Sequence, residues 1–222
     1  MSGREGRIVV VDYHEGNLRS VERALAEVGA SVVVSDEARD VDGAAGVVLP
    51  GVGAFEDAMG QLLASGQAQS IVAAIGRGVP FLGICLGMQL LFSRGSERRD
   101  GPSSWGGEWV PGLGVLEGSV IRLESKRLKV PHVGWDQAHL TEHGRRCPLF
   151  VDVPEGANVY FTHSYATTDD IDGGIVAATT HYACSFASGV WKDNVFGVQF
   201  HPEKSSHAGM RILSNFVNVA RG

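Results

Sequence analysis

Four short apolar runs constrain this chain more than any other feature. RIVVVD (7–12), SVVVS (31–35), GVVLP (46–50) and VPFLGI (79–84) are continuous rather than alternating, and rich in β-branched residues. A strand that is apolar at every position has both faces covered, as in a parallel sheet with helices on either side. The intervening segments agree. EGNLRSVERALAEVG (15–29) sets Leu18, Val21, Leu25 and Val28 on one helical face and ends at Gly29, and residues 54–77 read as one or two helices. Strand, helix, strand, strand, helix, strand, helix is the order of an α/β protein with a mostly parallel sheet.

Beyond Ser93 the pattern changes. Residues 93–114 (SRGSERRDGPSSWGGEWVPGLG) are rich in Gly, Ser, Trp and charge, which predicts a surface excursion. VLEGSVIRL (115–123), LKVPHVGW (128–135), ANVYFTHSY (157–165), GIVAATTHY (174–182) and NVFGVQFH (194–201) then read as strands, several joined by hairpin-type turns. Residues 205–220 form an amphipathic helix with Ile212, Leu213, Phe216 and Val217 inward and Ser205 or Ser206 as its cap. No repeat or linker divides the 222 residues, so one domain spanning 1–222 is expected, long enough to bury a core.

Composition excludes several functions. A formal charge of −6 argues against nucleic-acid binding, and the one dense basic run, KRLK (126–129), reads as a solvated strand face. No apolar run approaches the ~20 residues needed to span a bilayer, and the N-terminus has no apolar leader core. Three cysteines, odd in number and widely spaced, argue against a disulfide framework, so a reduced, cytoplasmic enzyme or binding protein is expected. His139, His143 and Cys147 recur every four residues, and His181 lies close to Cys184. Neither set has the C-x-x-C anchor of a zinc site, so no metal or other cofactor is predicted.

The chemistry concentrates at Gly83-Ile84-Cys85-Leu86-Gly87, between a predicted strand and a predicted helix. A nucleophile elbow holds its central residue in a strained turn and needs small residues two positions either side. A helix N-terminus would favour the thiolate by roughly 0.3–1 kcal/mol, about one pKa unit at most. From ~8.5 that leaves a thiol mostly protonated at neutral pH, so Cys85 needs a paired base. Among eight histidines, His201 stands out in VQFHPEKS. Pro202 keeps His201 extended, so that Glu203 can reach back to its imidazole and fix the tautomer. The oxyanion donors would be the N–H of Leu86 and an amide of the glycine loop PGVGAF (50–55), centred on Val52 between Gly51 and Gly53. That loop is no dinucleotide fingerprint, because its third glycine position is Glu56.

Taken together, PGVGAF, GICLGMQLLF and VQFHPEKS resemble the class I (triad) glutamine amidotransferases. PHVGW (131–135) and GLGVLEGSV (112–120) narrow the likeness to the glutaminase subunits of imidazole glycerol phosphate synthases, and it runs from Asp12 to the last helix. The resemblance implies a flavodoxin-like central, mostly parallel sheet flanked by helices, with added antiparallel strands in the second half. It also implies Cys85 as nucleophile, His201 as base then acid, and Glu203 as orienter. Gly51, Gly53, Gln89, Glu97, His163, Ser164 and Tyr165 match positions that hold the substrate L-glutamine. Two residues depart from the family pattern: His14 stands where the first loop usually has glycine, and Val133 replaces a methionine. The implied partner is a (β/α)8-barrel cyclase subunit in a heterodimer, with Asn17, Trp135 and Lys204 as candidate contacts. Three rival readings are the glutaminase of another synthase, a Cys-dependent α/β-hydrolase using Asp169 or Asp193 as its acid, and a catalytically dead binding module.

Overall fold

The computed structural model describes residues 6–14, 16–99 and 105–222. Glu15 of the first loop and residues 100–104 of the predicted excursion lie outside these. The chain runs β1 (Ile8–Val11), α1 (Leu18–Glu27), β2 (Val32–Ser35), α2 (Ala38–Asp42), β3 (Gly46–Gly51), α3 (Phe55–Ala64), α4 (Gln67–Gly76), β4 (Phe81–Cys85) and α5 (Leu86–Gln89). It continues β5 (Phe92–Gly95), β6 (Val110–Pro111), β7 (Leu116–Arg122), β8 (His132–Leu140), β9 (Ala157–His163), β10 (Tyr165–Thr167), β11 (Val176–His181), β12 (Ser185–Lys192), β13 (Val195–Val198) and α6 (Ser206–Arg221).

The main sheet has the order β2-β1-β3-β4-β13-β12-β11-β8-β9. β2, β1, β3, β4 and β13 are mutually parallel, and β12, β11, β8 and β9 extend the sheet antiparallel. The continuous apolar runs have the predicted cause. Ile8 and Val10 pack with α1 and α6 on one face, while Val9 and Val11 pack with α2, α3 and α4 on the other. The reading of residues 54–77 resolves into two helices, broken where Gly66 takes a left-handed conformation at φ 77°. No helix among the described residues is long and apolar enough to cross a membrane.

Several expectations need correction. SVVVS is the edge strand β2, and its three valines are only half buried because one side of the strand has no neighbour. The helix after Cys85 is a single turn, after which the chain enters β5. The excursion begins and ends in paired strands, β5 and β6, of a second four-stranded sheet in the order β10-β7-β5-β6. ANVYFTHSY is two strands in different sheets, joined at Ser164. KRLK lies on an exposed loop rather than a strand face. Neither serine caps α6 through its side chain: the Ser205 hydroxyl donates to His201 O at 2.6 Å and accepts from Tyr160 N–H at 2.9 Å.

This topology positions the site. Gly51 pairs with Cys85 and Val198 with Ile84, so the central strands β3, β4 and β13 end side by side. The glycine loop, the Cys85 turn and the His201 segment therefore emerge together, at the carboxyl ends of parallel strands where ligands of open α/β sheets bind.

Candidate functional site

Cys85 sits at φ 55°, ψ −111°, outside the regions open to an ordinary side chain. The flanking glycines are what permit the turn. A Cβ on Gly83 would lie 2.6 Å from Gly87 O, and one on Gly87 would lie 1.7 Å from Leu49 O; both obstacles are backbone. Gly51 is crowded too, with a Cβ there falling 2.2 Å from the Tyr13 hydroxyl and 2.9 Å from Leu86 Cβ. The thiol donates to Thr162 O at 3.8 Å and accepts from the side-chain amide of Gln199 at 3.6 Å.

His201 and Glu203 are both buried, and Nδ1 meets Glu203 Oε1 at 2.9 Å. Glu203 does not reach back along an extended strand, as expected from sequence. It stands on a single 3-10 turn, Pro202–Lys204, which curls the carboxylate under the ring. With Nδ1 taken by the carboxylate, the remaining buried nitrogen, Nε2, makes no hydrogen bond of ordinary length among the described residues. Burial opposes the imidazolium, but the interactions with Cys85 and Glu203 outweigh it and push His201 up to about 10. The ring partner is thus Glu203, not Asp169 or Asp193.

In front of Cys85 lies a cavity of about 280 Å³. Val52, Gly53, Leu86, Gln89, Glu97, His163, Ser164 and Tyr165 all line it, together with Thr162, which sequence reasoning did not single out, and Pro131, which it placed in the PHVGW motif rather than at the pocket. Gly51 is not at its wall; it packs beneath Leu86 and Tyr13. Leu86 and Val52 flank the sulfur from the two loops that would supply oxyanion donors.

A family model for class-I glutamine amidotransferases matches residues 9–220. The imidazole glycerol phosphate synthase subunit HisH of Syntrophotalea carbinolica is 44% identical over 215 residues, covering 94% of this chain and 98% of that one. The HisH subunit of Moorella thermoacetica is 45% identical, covering 96% and 95%. The chain belongs to the class I glutamine amidotransferases, in the HisH family. Solved structures agree in fold. A glutamine amidotransferase superposes with a TM-score of 0.71 at 18% identity over 96% of this chain and 99% of its own. The PurLQS structure of Thermotoga maritima gives 0.70 at 20% identity, covering 96% and 98%.

In this amidotransferase the excursion has a local purpose. Ala54, at the N-cap of α3, has no side chain able to cap, and Glu97 accepts the Phe55 N–H instead at 3.1 Å. Glu56 returns the contact by accepting Arg99 N–H at 3.2 Å. Burial raises the Glu97 carboxyl to about 7, the Phe55 N–H and Arg122 opposing. Gln89 spends both amide hydrogens inside the protein, on Tyr165 O at 2.8 Å and Gln199 Oε1 at 2.9 Å, so only its oxygen is left to receive a ligand. His163 gives Nδ1–H to the same Tyr165 carbonyl at 2.8 Å and meets His132 Nδ1 with Nε2 at 3.2 Å.

The predicted contact residues share one region. Trp135 is 55% exposed on β8 and packs edge-on to Tyr160, over whose ring the Lys204 ammonium lies at 5.8 Å. Asn17 is exposed at the start of α1, which packs against the turn carrying Lys204. His14 does occupy a left-handed position, φ 68°, steadied by its N–H to Asp12 Oδ1 at 2.7 Å. The histidines weighed as metal ligands are engaged otherwise: His139 with Glu155, His143 with Trp191 O, and His181 with Ser185 Oγ. Among the described residues no three His, Cys, Asp or Glu side chains converge to hold a metal.

Proposed function

We propose that the chain, folded as one domain, is the glutaminase subunit of an imidazole glycerol phosphate synthase, with Cys85, His201 and Glu203 as its triad. The carrying observation is the strained Cys85 between the pocket and the buried His201–Glu203 pair. Cys85 Sγ attacks the side-chain amide carbon of L-glutamine, and the C=O electrons move to oxygen, for which we assign the N–H groups of Leu86 and Val52 as donors. When the carbonyl re-forms, the C–N bond breaks and His201 gives its proton to the departing nitrogen, releasing ammonia. Water then attacks the thioester with His201 as base, and glutamate leaves as sulfur recovers the proton. Glu97 is the counter-charge for the substrate ammonium, and the Gln89 oxygen accepts from a substrate N–H. Gly53, His163, Ser164 and Tyr165 complete the pocket, with Gly51 supporting it from beneath.

Ammonia reacts as a nucleophile only while unprotonated, so a glutaminase with no second site needs a synthase docked over its pocket. We assign that partner as the (β/α)8-barrel cyclase subunit in a heterodimer. Support for the docking face comes from exposed Val133 and Trp135 beside Lys204 and Asn17, near the strand ends that carry the triad. The test is a glutamine-mimicking electrophile with the adduct located by mass spectrometry. We expect modification at Cys85, greatly slowed by His201→Ala, and co-purification of the cyclase. Labelling at Cys184 instead, or labelling indifferent to His201, would overturn the mechanism.

A further inference from the structure

A line of hydrogen bonds runs under the pocket from a backbone carbonyl to the nucleophile. Gln89 Nε2 donates to Tyr165 O and to Gln199 Oε1, and Gln199 Nε2 donates to Cys85 Sγ. The direction of this line is not free. A backbone carbonyl only accepts, so the atom of Gln89 that faces Tyr165 must be nitrogen. Its second hydrogen then requires the oxygen of Gln199 to turn toward Gln89, and the planar amide leaves its nitrogen facing the sulfur. Gln199 is fully buried, and its own N–H is tied to Ser188 O at 3.0 Å, so the side chain is anchored at both ends.

We propose that Gln199 is a positioning residue for this reaction: its amide N–H orients the Cys85 sulfur and favours the thiolate. The inference rests on Cys85 being the nucleophile. A donor hydrogen-bonded to the charged form of a group stabilises that form. Thr162 O, which also meets the sulfur, is an acceptor and favours the protonated thiol. Gln199 opposes it, from a position two residues before His201, so one segment delivers both the donor and the base. The titratable groups around the sulfur are His201 with Glu203 behind it, His163 backed by His132, and Glu97 across the pocket.

The test uses the full chain with Gln199→Met, a length-matched side chain without a donor, and Gln199→Leu as the reserve variant. Alkylation of Cys85 by iodoacetamide is followed between pH 5 and 10 at the Cys85 peptide. We expect the midpoint to rise by about half to one pH unit, and the rate at neutral pH to fall about 3- to 10-fold. At high pH the variants should rejoin the wild type. In the unsubstituted chain, the Gln199 side-chain N–H resonance should move with the same midpoint, and should not do so in Cys85→Ala. Equal slowing at every pH is the signature of lost packing alone and would overturn the proposal, as would a Gln199 resonance indifferent to the Cys85 titration. Wild-type Cys85 reacting no faster than Cys184 would instead remove the nucleophile assignment itself.

Discussion

Adding one methyl group at each of three glycines separates the geometry of the elbow from mere glycine content. An ordinary carbon–oxygen contact is about 3.3 Å or longer. A Cβ on Gly87 falls 1.7 Å from Leu49 O, so α5 and β3 must part by about 1.6 Å; on Gly83 the obstacle is Gly87 O at 2.6 Å, and about 0.7 Å suffices. Neither obstacle is a side chain that can rotate away. The β3–β4 ladder resists separation, so the displacement falls on α5, which carries Leu86 and Gln89. Overpacking usually costs about 1–3 kcal/mol. We expect Gly83→Ala within that range and Gly87→Ala above ~3 kcal/mol. Shifts near 1 Å at a reacting group cost about 10²-fold in rate, so Gly83→Ala should remain folded yet lose about that much glutaminase activity. Gly76 is the control: it ends α4 with nothing within 4 Å of a new Cβ, and alanine there should stabilise by about 0.5–1 kcal/mol. Urea midpoints at constant slope and glutamine turnover give both readouts. A Gly87→Ala protein as stable and active as Gly76→Ala would refute the elbow.

Three further outcomes are expected. Glu203→Gln keeps the shape but removes the charge that holds the His201 imidazolium, so kcat for glutamine should fall on the order of 10²–10⁴-fold with KM little changed; an unchanged kcat refutes the pairing. Because His201 is raised from 6.5 to about 10, its charged form stabilises the fold fully below 6.5, and this is lost as pH climbs through 10. The wild type's lead over Glu203→Gln in urea midpoint should therefore narrow across that window, and a constant gap would contradict it. The Glu97 carboxyl, raised to about 7, ionises only near neutrality. KM for glutamine should thus fall as pH rises through 7, and Glu97→Gln should flatten that dependence.

Much of the fold was legible because its commonest signal is local. A strand covered on both faces is apolar at every position, and β1, β3 and β4 are written that way. β12 carries no such signal, for the converse reason: half of SFASGVWK is Ser, Ala or Gly, and only Val190 is β-branched. It is buried by pairing with β11 and β13, and Gly189 has to be small because a Cβ there meets Phe150 at 2.9 Å. The strands at either end of the excursion were hidden in the same way, since β6 is two residues long and is defined only by its partner β5.

The site divides along a similar line. The elbow was legible because it is a strict local geometry; the His201–Glu203 pairing was legible from its spacing, though the 3-10 turn that makes it was not. Gln199, Thr162 and Pro131 act through neighbours that only the fold brings near. The clearest case is a pair of histidines. His201 and His163 are both buried, and desolvation pushes each toward the neutral form. Their surroundings then drive them apart. His201 has the Glu203 carboxylate and the Cys85 sulfur, and is raised to about 10. His163 gains only a carbonyl, against the repulsion of His132 and His201, and falls to about 4. Two groups whose environments separate their pKa values are a means of dividing acid–base roles. In the proposed reaction one histidine carries the proton that ammonia takes, and the other, held neutral, does not add a second positive charge beside it. Nothing in T-H-S-Y announces that neutrality. It arises because Ser164 switches the chain between two sheets and turns the Tyr165 carbonyl back toward both His163 and Gln89.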